Sequence, residues 1–297
     1  MSGEPECFVV RLADGRSLEA LTAGPAEGDV FILHHGSPGS AVAFDPFTEA
    51  CVARGLRFVT FSRAGFGDSS RRSGRSVASV AADVAELADH LGAERFHVAG
   101  WSGGGPHALA CAALLPERVI AAATIAGVAP WDADGLDWTA GMGEDNQVEY
   151  PLAAGHPDEL LRWMQPHVDA LSRATAEQVV EDLSSVLSAV DRAALSGAFG
   201  AYEAKMFHGA FRHGPWGWYD DDLAFTRSWG FELGEIRVPV SIWQGPHDLM
   251  VPFAHGGWLA AHIPGARAHL EPEHGHLSLA LGRFGDILDD LVASGRE

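Results

Sequence analysis

Residues 100–110 read GWSGGGPHALA, a serine set among glycines and followed by an apolar stretch. The run RFHVAG before it is typical of a buried strand, and HALACAALL after it predicts a helix. Gly100, Ser102 and Gly104 form the pattern G-x-S-x-G, which is weak alone but far more specific between a strand and a helix, where a tight turn exposes the serine hydroxyl. We therefore predict that Ser102 is a nucleophile. The alternative is a capping serine at a glycine-rich helix start.

Apolar strands alternate with helices on both sides of this turn, which is typical of a mostly parallel sheet covered by helices on both faces. An N-terminal hairpin brings the number of predicted strands to eight. Between about Trp131 and Glu235 the alternation stops and only helical segments are predicted. We therefore predict an α/β fold whose core comprises residues 1–130 and 236–297, with residues 131–235 inserted as a helical domain. Within the insertion, Thr175 and Gln178 form a capping box that predicts a helix start.

Composition and charge narrow the class of protein. The chain has 297 residues and a net charge of −20 at pH 7. Because phosphate backbones and anionic membranes repel such a chain, we expect it to bind neither nucleic acid nor a membrane surface. It contains no apolar run of the ~18 residues that span a membrane. The start MSGEPECFVV has no basic flank, and the three cysteines cannot all pair, so we expect a cytoplasmic protein with Cys51 and Cys111 as buried thiols. The sequence does not determine the oligomeric state and is compatible with a homo-oligomer.

A serine hydroxyl needs a base, and the base needs a carboxylate that orients it. His276 follows the last predicted strand and precedes the last helix, and His274 is the rival two residues earlier. Asp248 lies in the turn WQGPHDLMVP after the penultimate strand. Asp132, after TIAGVAP, is the alternative acid, and Asp248 could instead be a helix cap. We favour Ser102, Asp248 and His276, which follow one another in the chain order known for a nucleophile elbow and its partners.

Two backbone N–H groups are needed to stabilise a tetrahedral oxyanion. One is expected from Gly103, the residue after the nucleophile. The other is expected from the loop HGSPG at residues 35–39, where the Ser37 N–H is the candidate donor. GWSGGG lacks the lysine of a phosphate-binding loop, and EPEHGH offers no coherent ligand set, so we expect no cofactor and no metal.

Five segments in this order resemble the α/β-hydrolase fold superfamily, and within it proline iminopeptidases and related serine hydrolases: HGSPG, SRAGFGDSS, GWSGGG, QGPHDLMVP and EHGHLSL. They span residues 35–279. The resemblance implies an oxyanion loop at the first segment and the triad on the last three. At the second segment it implies a structural turn, built on Arg63, Gly65 and Gly67. It also implies that residues 131–235 form a lid. Ser102 departs from the branches that use an aspartate nucleophile.

The insertion holds six of the nine tryptophans: Trp131, Trp138, Trp163, Trp216, Trp218 and Trp229. We expect Trp131, Trp138 and Trp218 to contact an apolar or aromatic substrate. The alternative is that the tryptophans form the core of the insertion itself.

Acidic residues also cluster in the insertion: Glu144, Asp145, Glu149, Glu203 and the run YDDD at 219–222. We expect a solvated face, since the whole chain is acidic. The resemblance to aminopeptidases offers an alternative, in which lid carboxylates hold the free amine of a substrate.

Three functions follow from these features. The first is a serine hydrolase that cleaves a small ester or related acyl substrate through an acyl-enzyme on Ser102. The second is an aminopeptidase of the iminopeptidase kind. The third belongs to another class, a non-hydrolytic lyase, cyclase or binding protein that retains the fold. In the esterase and the aminopeptidase alike, we expect the protein to bind a small-molecule substrate.

Overall fold

A computed structural model describes residues 4–295 and places eight strands in a single sheet of order β1-β2-β4-β3-β5-β6-β7-β8. The strand bounds are β1 Glu6–Arg11, β2 Ser17–Ala23, β3 Asp29–His34, β4 Leu56–Phe61, β5 Phe96–Trp101, β6 Val119–Ile125, β7 Val240–Gln244 and β8 Arg267–Leu270. The first two form an antiparallel hairpin, and β2 is antiparallel to β4. All remaining pairs are parallel. The predicted fold class is confirmed.

Eleven α-helices lie in the described residues. Their bounds are α1 Asp45–Val52, α2 Val80–His90, α3 Gly104–Leu114, α4 Glu144–Gly155, α5 Pro157–Leu171, α6 Ala176–Asp182, α7 Ala189–Ala194, α8 Gly197–Ala210, α9 Trp216–Phe225, α10 Phe253–His262 and α11 His276–Ser294. Of these, α3 and α6 occur where the sequence predicted a helix and a helix start. At the start of α6 the Thr175 hydroxyl accepts the Gln178 N–H, and the Gln178 side chain accepts the Thr175 N–H, as the capping box predicted. Cys51 and Cys111 are buried free thiols, also as predicted.

Helices cover both faces of the sheet, and the strand residues alternate between the two layers. Phe31 of β3 faces α1 and α11, where its ring lies 6.0 Å from that of Phe284. Ile32, the next residue, packs with Val84 and Leu109 in the layer that contains α2 and α3. Because β3 is buried on both faces, its sequence is continuously apolar, as parallel strands require. This packing fixes the carboxyl edge of the sheet, where the site lies.

The segment between β6 and β7 is helical, and in the described residues it contains α4 to α9 and no strand. Its last helix, α9, packs closely on the turn after β4. A Cβ on Gly217 would lie 2.3 Å from the Phe66 ring, so only glycine allows this approach. The insertion is thereby held against the loops at the carboxyl edge of the sheet. None of the helices in residues 4–295 is long and apolar enough to cross a membrane.

Candidate active site

Ser102 lies in the tight turn between β5 and α3. Its φ is +56°, a left-handed conformation that is unusual for a residue other than glycine. The flanking glycines are required by contact: a Cβ on Gly100 would lie 2.0 Å from the Gly104 carbonyl oxygen. The Ser102 N–H donates to the Ile125 carbonyl at 2.8 Å, which ties the turn to β6. The strand, the turn and the helix thus occur as the motif predicts.

His276 and Asp248 meet at the same edge of the sheet. The His276 Nδ1–H donates to Asp248 Oδ2 at 2.8 Å, and both side chains are buried. The other carboxylate oxygen of Asp248 accepts the N–H groups of Met250 and Val251 at 2.8 and 2.7 Å. Burial lowers the pKa of His276, but the carboxylate of Asp248 outweighs it, so that the pKa stands above its usual value. The imidazole is thus oriented and made more basic.

Ser102 and His276 line one cavity of about 110 Å³. Because His276 Nδ1 bonds Asp248, Nε2 is the ring nitrogen available to accept a proton from Ser102. Within residues 4–295 no hydrogen bond joins Ser102 Oγ to the ring. Such contacts are often long without substrate and shorten when it binds. His274 and Asp132, the alternatives, do not line the cavity, and Asp132 is exposed. The geometry therefore favours His276 and Asp248 over both.

The loop after β3 borders the serine. A Cβ on Gly36 would lie 3.4 Å from Ser102 Cβ, and one on Gly103 would lie 2.6 Å from Ser37 Oγ. In the part of the chain that the structure describes, the Ser37 and Gly103 N–H groups donate to no protein acceptor. Both are therefore available to an oxyanion beside Ser102.

A buried carboxylate from the insertion holds this loop. Arg63 donates to the His35 and Gly36 carbonyls at 2.5 and 3.0 Å, to Ser37 Oγ at 2.8 Å and to Asp221 Oδ2 at 2.7 Å. Ser37 Oγ also donates to Asp221. Asp221 is fully buried, so its position in α9 fixes the candidate oxyanion loop from the side of the insertion.

Arg75 supplies a second positive charge beside Asp221, and His107 contacts the same carboxylate. Arg75 Nη1 donates to its Oδ1 at 2.5 Å, and His107 Nε2 lies 3.1 Å from the same oxygen. Burial raises the pKa of Asp221, but Arg63 and Arg75 outweigh it and hold the pKa well below the usual range. The prediction of a solvated face for YDDD is therefore wrong: Asp220, Asp221 and Asp222 are all buried. Sequence alone could not pair α9 with arginines about 146 and 158 positions away.

Replacing Asp221 by asparagine should lower the free energy of unfolding by about 3–5 kcal/mol, because two buried guanidinium groups would lose their counter-charge. Asp220→Asn is the matched control on the same helix. Asp220 is also buried, but its partner Arg71 is partly exposed and can be solvated when the pair is broken, so this variant should lose less stability than Asp221→Asn. Urea unfolding at pH 7 measures both variants. Equal losses would contradict the role assigned to Asp221.

Aromatic and apolar side chains form much of the cavity wall: Trp101, Tyr150, Trp163, Leu171, Met206, Phe207 and Trp218. Of the three tryptophans expected to contact the substrate, Trp218 lines the cavity. Trp131 and Trp138 do not: the Trp138 indole donates to the Ala129 carbonyl at 2.8 Å, and its ring lies 5.0 Å from that of Trp131. These two tryptophans pack where the insertion leaves β6, because the indole N–H finds a backbone partner there. Trp163, which was not predicted to contact the substrate, lines the cavity.

Four acidic side chains also line the cavity, and among residues 4–295 no lysine or arginine does: Asp145, Glu149, Asp182 and Glu203. Glu149 Oε1 accepts the Trp218 indole N–H at 2.6 Å. Burial raises the pKa of Glu149 to about 7 and that of its neighbour Asp222 well above the usual range. Burial also raises the pKa of Glu203 to about 8, and its Oε1 has no partner within residues 4–295. The buried Glu149 and Glu203 are further exceptions to the expected solvated face.

Glu203 should make the protein less stable as pH rises. Its pKa is about 8 when folded and near 4.5 when unfolded, so between these values the folded state binds more protons. The stability of the wild type should fall over this window by up to about 1.4 kcal/mol per pH unit from this group. Glu203→Gln should flatten the dependence, whereas the exposed Glu144→Gln should not. Urea unfolding at pH 5, 6.5 and 8 tests this, and equal slopes for wild type and Glu203→Gln would refute it.

The described residues contain no group of three or more His, Cys, Asp or Glu side chains that could hold a metal ion. The groups that the described structure brings together at this site are the Ser102 hydroxyl, the His276 imidazole and the Asp248 carboxylate, beside the Ser37 and Gly103 amides.

Known proteins resemble the chain over nearly its whole length. It is 26% identical to an uncharacterized hydrolase of Bacillus subtilis over 89% of each chain. It is 27% identical to a non-heme chloroperoxidase of Streptomyces lividans over 96% of this chain and 98% of that one. A bromoperoxidase structure from Bacillus anthracis superposes with a TM-score of 0.73 at 19% identity, over 97% of this chain and 100% of that one, and shows the fold alone.

The sequence model of the α/β hydrolase fold family matches residues 29–282, which include Ser102, Asp248 and His276. This range covers most of the sheet, all of the insertion and the start of α11. The match to the family does not distinguish the iminopeptidase branch from others. The chain is a hydrolase that belongs to the α/β hydrolase fold family.

Proposed function

We propose that the protein is a serine hydrolase that cleaves a small ester or related acyl substrate through an acyl-enzyme on Ser102. The observation that carries the proposal is the buried His276–Asp248 pair, which opens on the same cavity as the strained Ser102 turn. In this proposal residues 131–235 act as a lid, because Trp163, Trp218 and Glu203 from that segment wall the cavity.

The proposed reaction has two halves. His276 Nε2 accepts the Ser102 proton as Oγ attacks the substrate carbonyl, while the Ser37 and Gly103 N–H groups donate to the oxyanion. Asp248 holds Nδ1–H and stabilises the imidazolium. His276 then protonates the leaving group, and in the second half it activates the water that releases the acid from Ser102. Removal of one oxyanion donor typically costs about 10²–10³ in rate.

Labelling with a fluorophosphonate tests the proposal directly. The reagent should attach to Ser102 of the native protein, and peptide mass mapping should locate it there. Short-chain chromogenic esters should be hydrolysed, and prior labelling should abolish that turnover. A folded protein that stays unlabelled at Ser102 would exclude both the esterase and the aminopeptidase as proposed, since each forms an acyl-enzyme on that serine.

A specific observation favours the aminopeptidase as second candidate. Four carboxylates and no cationic Lys or Arg side chain line the cavity, so it should repel anionic substrates and attract a cationic group. The unpaired Glu203 oxygen is a buried acceptor for an ammonium hydrogen. Binding of an ammonium would stabilise the charged carboxylate and so offset its burial.

Paired substrates separate the two candidates. An esterase should cleave short neutral acyl esters and leave proline arylamides intact, whereas an aminopeptidase should cleave the arylamides. Glu203→Gln provides the control, because it removes the carboxyl group that a bound ammonium would hold in its charged form and changes the shape of the side chain little. If the amine-binding reading is correct, this variant should raise KM for the amine substrate and leave KM for a neutral ester unchanged. Equal KM values for the amine substrate would contradict it.

A further inference from the structure

A second buried aspartate from the insertion contacts the segment that carries His276. Asp191 lies in α7, is fully buried, and stands 85 positions from His276 along the chain. Its Oδ2 accepts the His276 N–H at 2.9 Å, and its Oδ1 accepts the Leu277 and Ser278 N–H groups at 2.9 Å. Ser278 Oγ donates to the same Oδ1 at 2.9 Å. The carboxylate therefore satisfies the free N–H groups of the first turn of α11, the helix that begins at His276.

The backbone beside His276 is shaped to admit this carboxylate. A Cβ on Gly275 would lie 2.2 Å from Asp191 Oδ2, so only glycine leaves room for the contact. The Gly275 N–H is occupied by Ser278 Oγ at 2.8 Å. Asp191 and Ser278 together accept the backbone N–H groups of residues 275–278 at the start of α11. The direction of the imidazole consequently depends on a residue of the insertion.

We propose that Asp191 is a positioning residue for His276, through which the insertion aligns the imidazole with Ser102. The inference rests on the serine hydrolase function proposed above. The proposal gives the insertion a role beyond covering the cavity. Displacement of α7 would remove the Asp191 carboxylate from the first turn of α11 and so release His276. Asp191 itself touches no reacting atom.

Electrostatics supplies a readout that distinguishes positioning from mere stability. The charged groups that face His276 are Asp248, from the loop after β7, and Asp191, from α7. Burial lowers the pKa of His276 and Asp248 raises it most, but the charge of Asp191 raises it further. Loss of that charge should therefore lower the pKa of the base, and the acid limb of kcat/KM should move to lower pH.

Asp191→Asn is the principal variant, and Thr175→Ala is its control. Thr175 caps α6 in the same insertion without touching Asp191, so its loss should reduce stability alone. For Asp191→Asn we expect kcat to fall about 10²-fold, because small misplacements of reacting groups cost this much. We also expect KM to remain within a few-fold of wild type, the acid limb to move to lower pH and fluorophosphonate labelling of Ser102 to slow. Thr175→Ala should keep the wild-type kcat and acid limb.

A folded Asp191→Asn protein with wild-type kcat, labelling rate and acid limb would overturn the proposal. Should that variant not fold, Ser278→Ala provides the test, because it removes only the hydroxyl that bonds Asp191 and Gly275. One hydrogen bond of this kind corresponds to a fall in kcat of about 2–10-fold, and an unchanged kcat would again overturn the proposal. Failure of the proposed serine hydrolase function gives a separate result, because the wild-type protein itself would then not be labelled at Ser102.

Discussion

Replacing Ser102 by alanine is expected to lower kcat by about 10⁶-fold, since the members of a serine triad act as a unit and lose nearly all their effect together. Its Oγ is the atom that we propose attacks the substrate, and no other hydroxyl occupies the turn between β5 and α3. Alanine preserves the cavity and the oxyanion donors, so substrate binding should survive. KM should therefore change little while kcat collapses.

Steady-state ester hydrolysis and fluorophosphonate labelling measure the effect. Ser196→Ala, an exposed serine of the insertion, is the matched control and should keep wild-type turnover. Circular dichroism should show that both variants are folded. A Ser102→Ala protein that keeps more than about a tenth of wild-type activity would rule Ser102 out as the nucleophile, because a triad member cannot be lost at so small a cost.

Asp248→Asn should lower kcat by about 10⁴-fold with little change in KM. The amide can no longer accept Nδ1–H as a charged partner, so the imidazole loses the tautomer that leaves Nε2 free for Ser102. The variant should also shift the acid limb of kcat/KM to lower pH, since the carboxylate is what raises the pKa of His276 against burial. Rates measured from pH 5 to 9 record both effects.

Asp132→Asn is the control for this variant, because Asp132 was the alternative acid from the sequence and is exposed in the structure. It should leave kcat and the pH profile at their wild-type values. The reverse result, a large loss at Asp132 and none at Asp248, would refute the assignment of the acid.

Local patterns were enough to predict the layered core. The continuous apolar runs of β3 and β5 reveal strands buried on both faces, and the glycines around Ser102 reveal a turn that other residues cannot adopt. His276 and Asp248 could be proposed because each follows a late strand, and carboxyl ends of parallel strands meet at one edge of the sheet. Periodicity and turn chemistry act over a few residues, so the sequence displays them directly.

The insertion was predicted less well. Its helices were expected, but YDDD was assigned to solvent and Trp131 and Trp138 to the cavity wall. A buried aspartate and an exposed one have the same side chain, and only its partners distinguish them. Arg63 and Arg75, the partners of Asp221, come from a distant part of the chain.

The sequence by itself therefore determined the strands of the sheet, the helices that alternate with them, and the three candidate residues at its edge, Ser102, Asp248 and His276. Only the tertiary structure decided which carboxylates of the insertion are buried and what they hold. Asp221 fastens the loop of Ser37, and Asp191 fastens the helix that begins at His276. The physical reason is that burial of a charge is tolerated only beside donors that compensate it, and those donors are chosen by packing across the molecule.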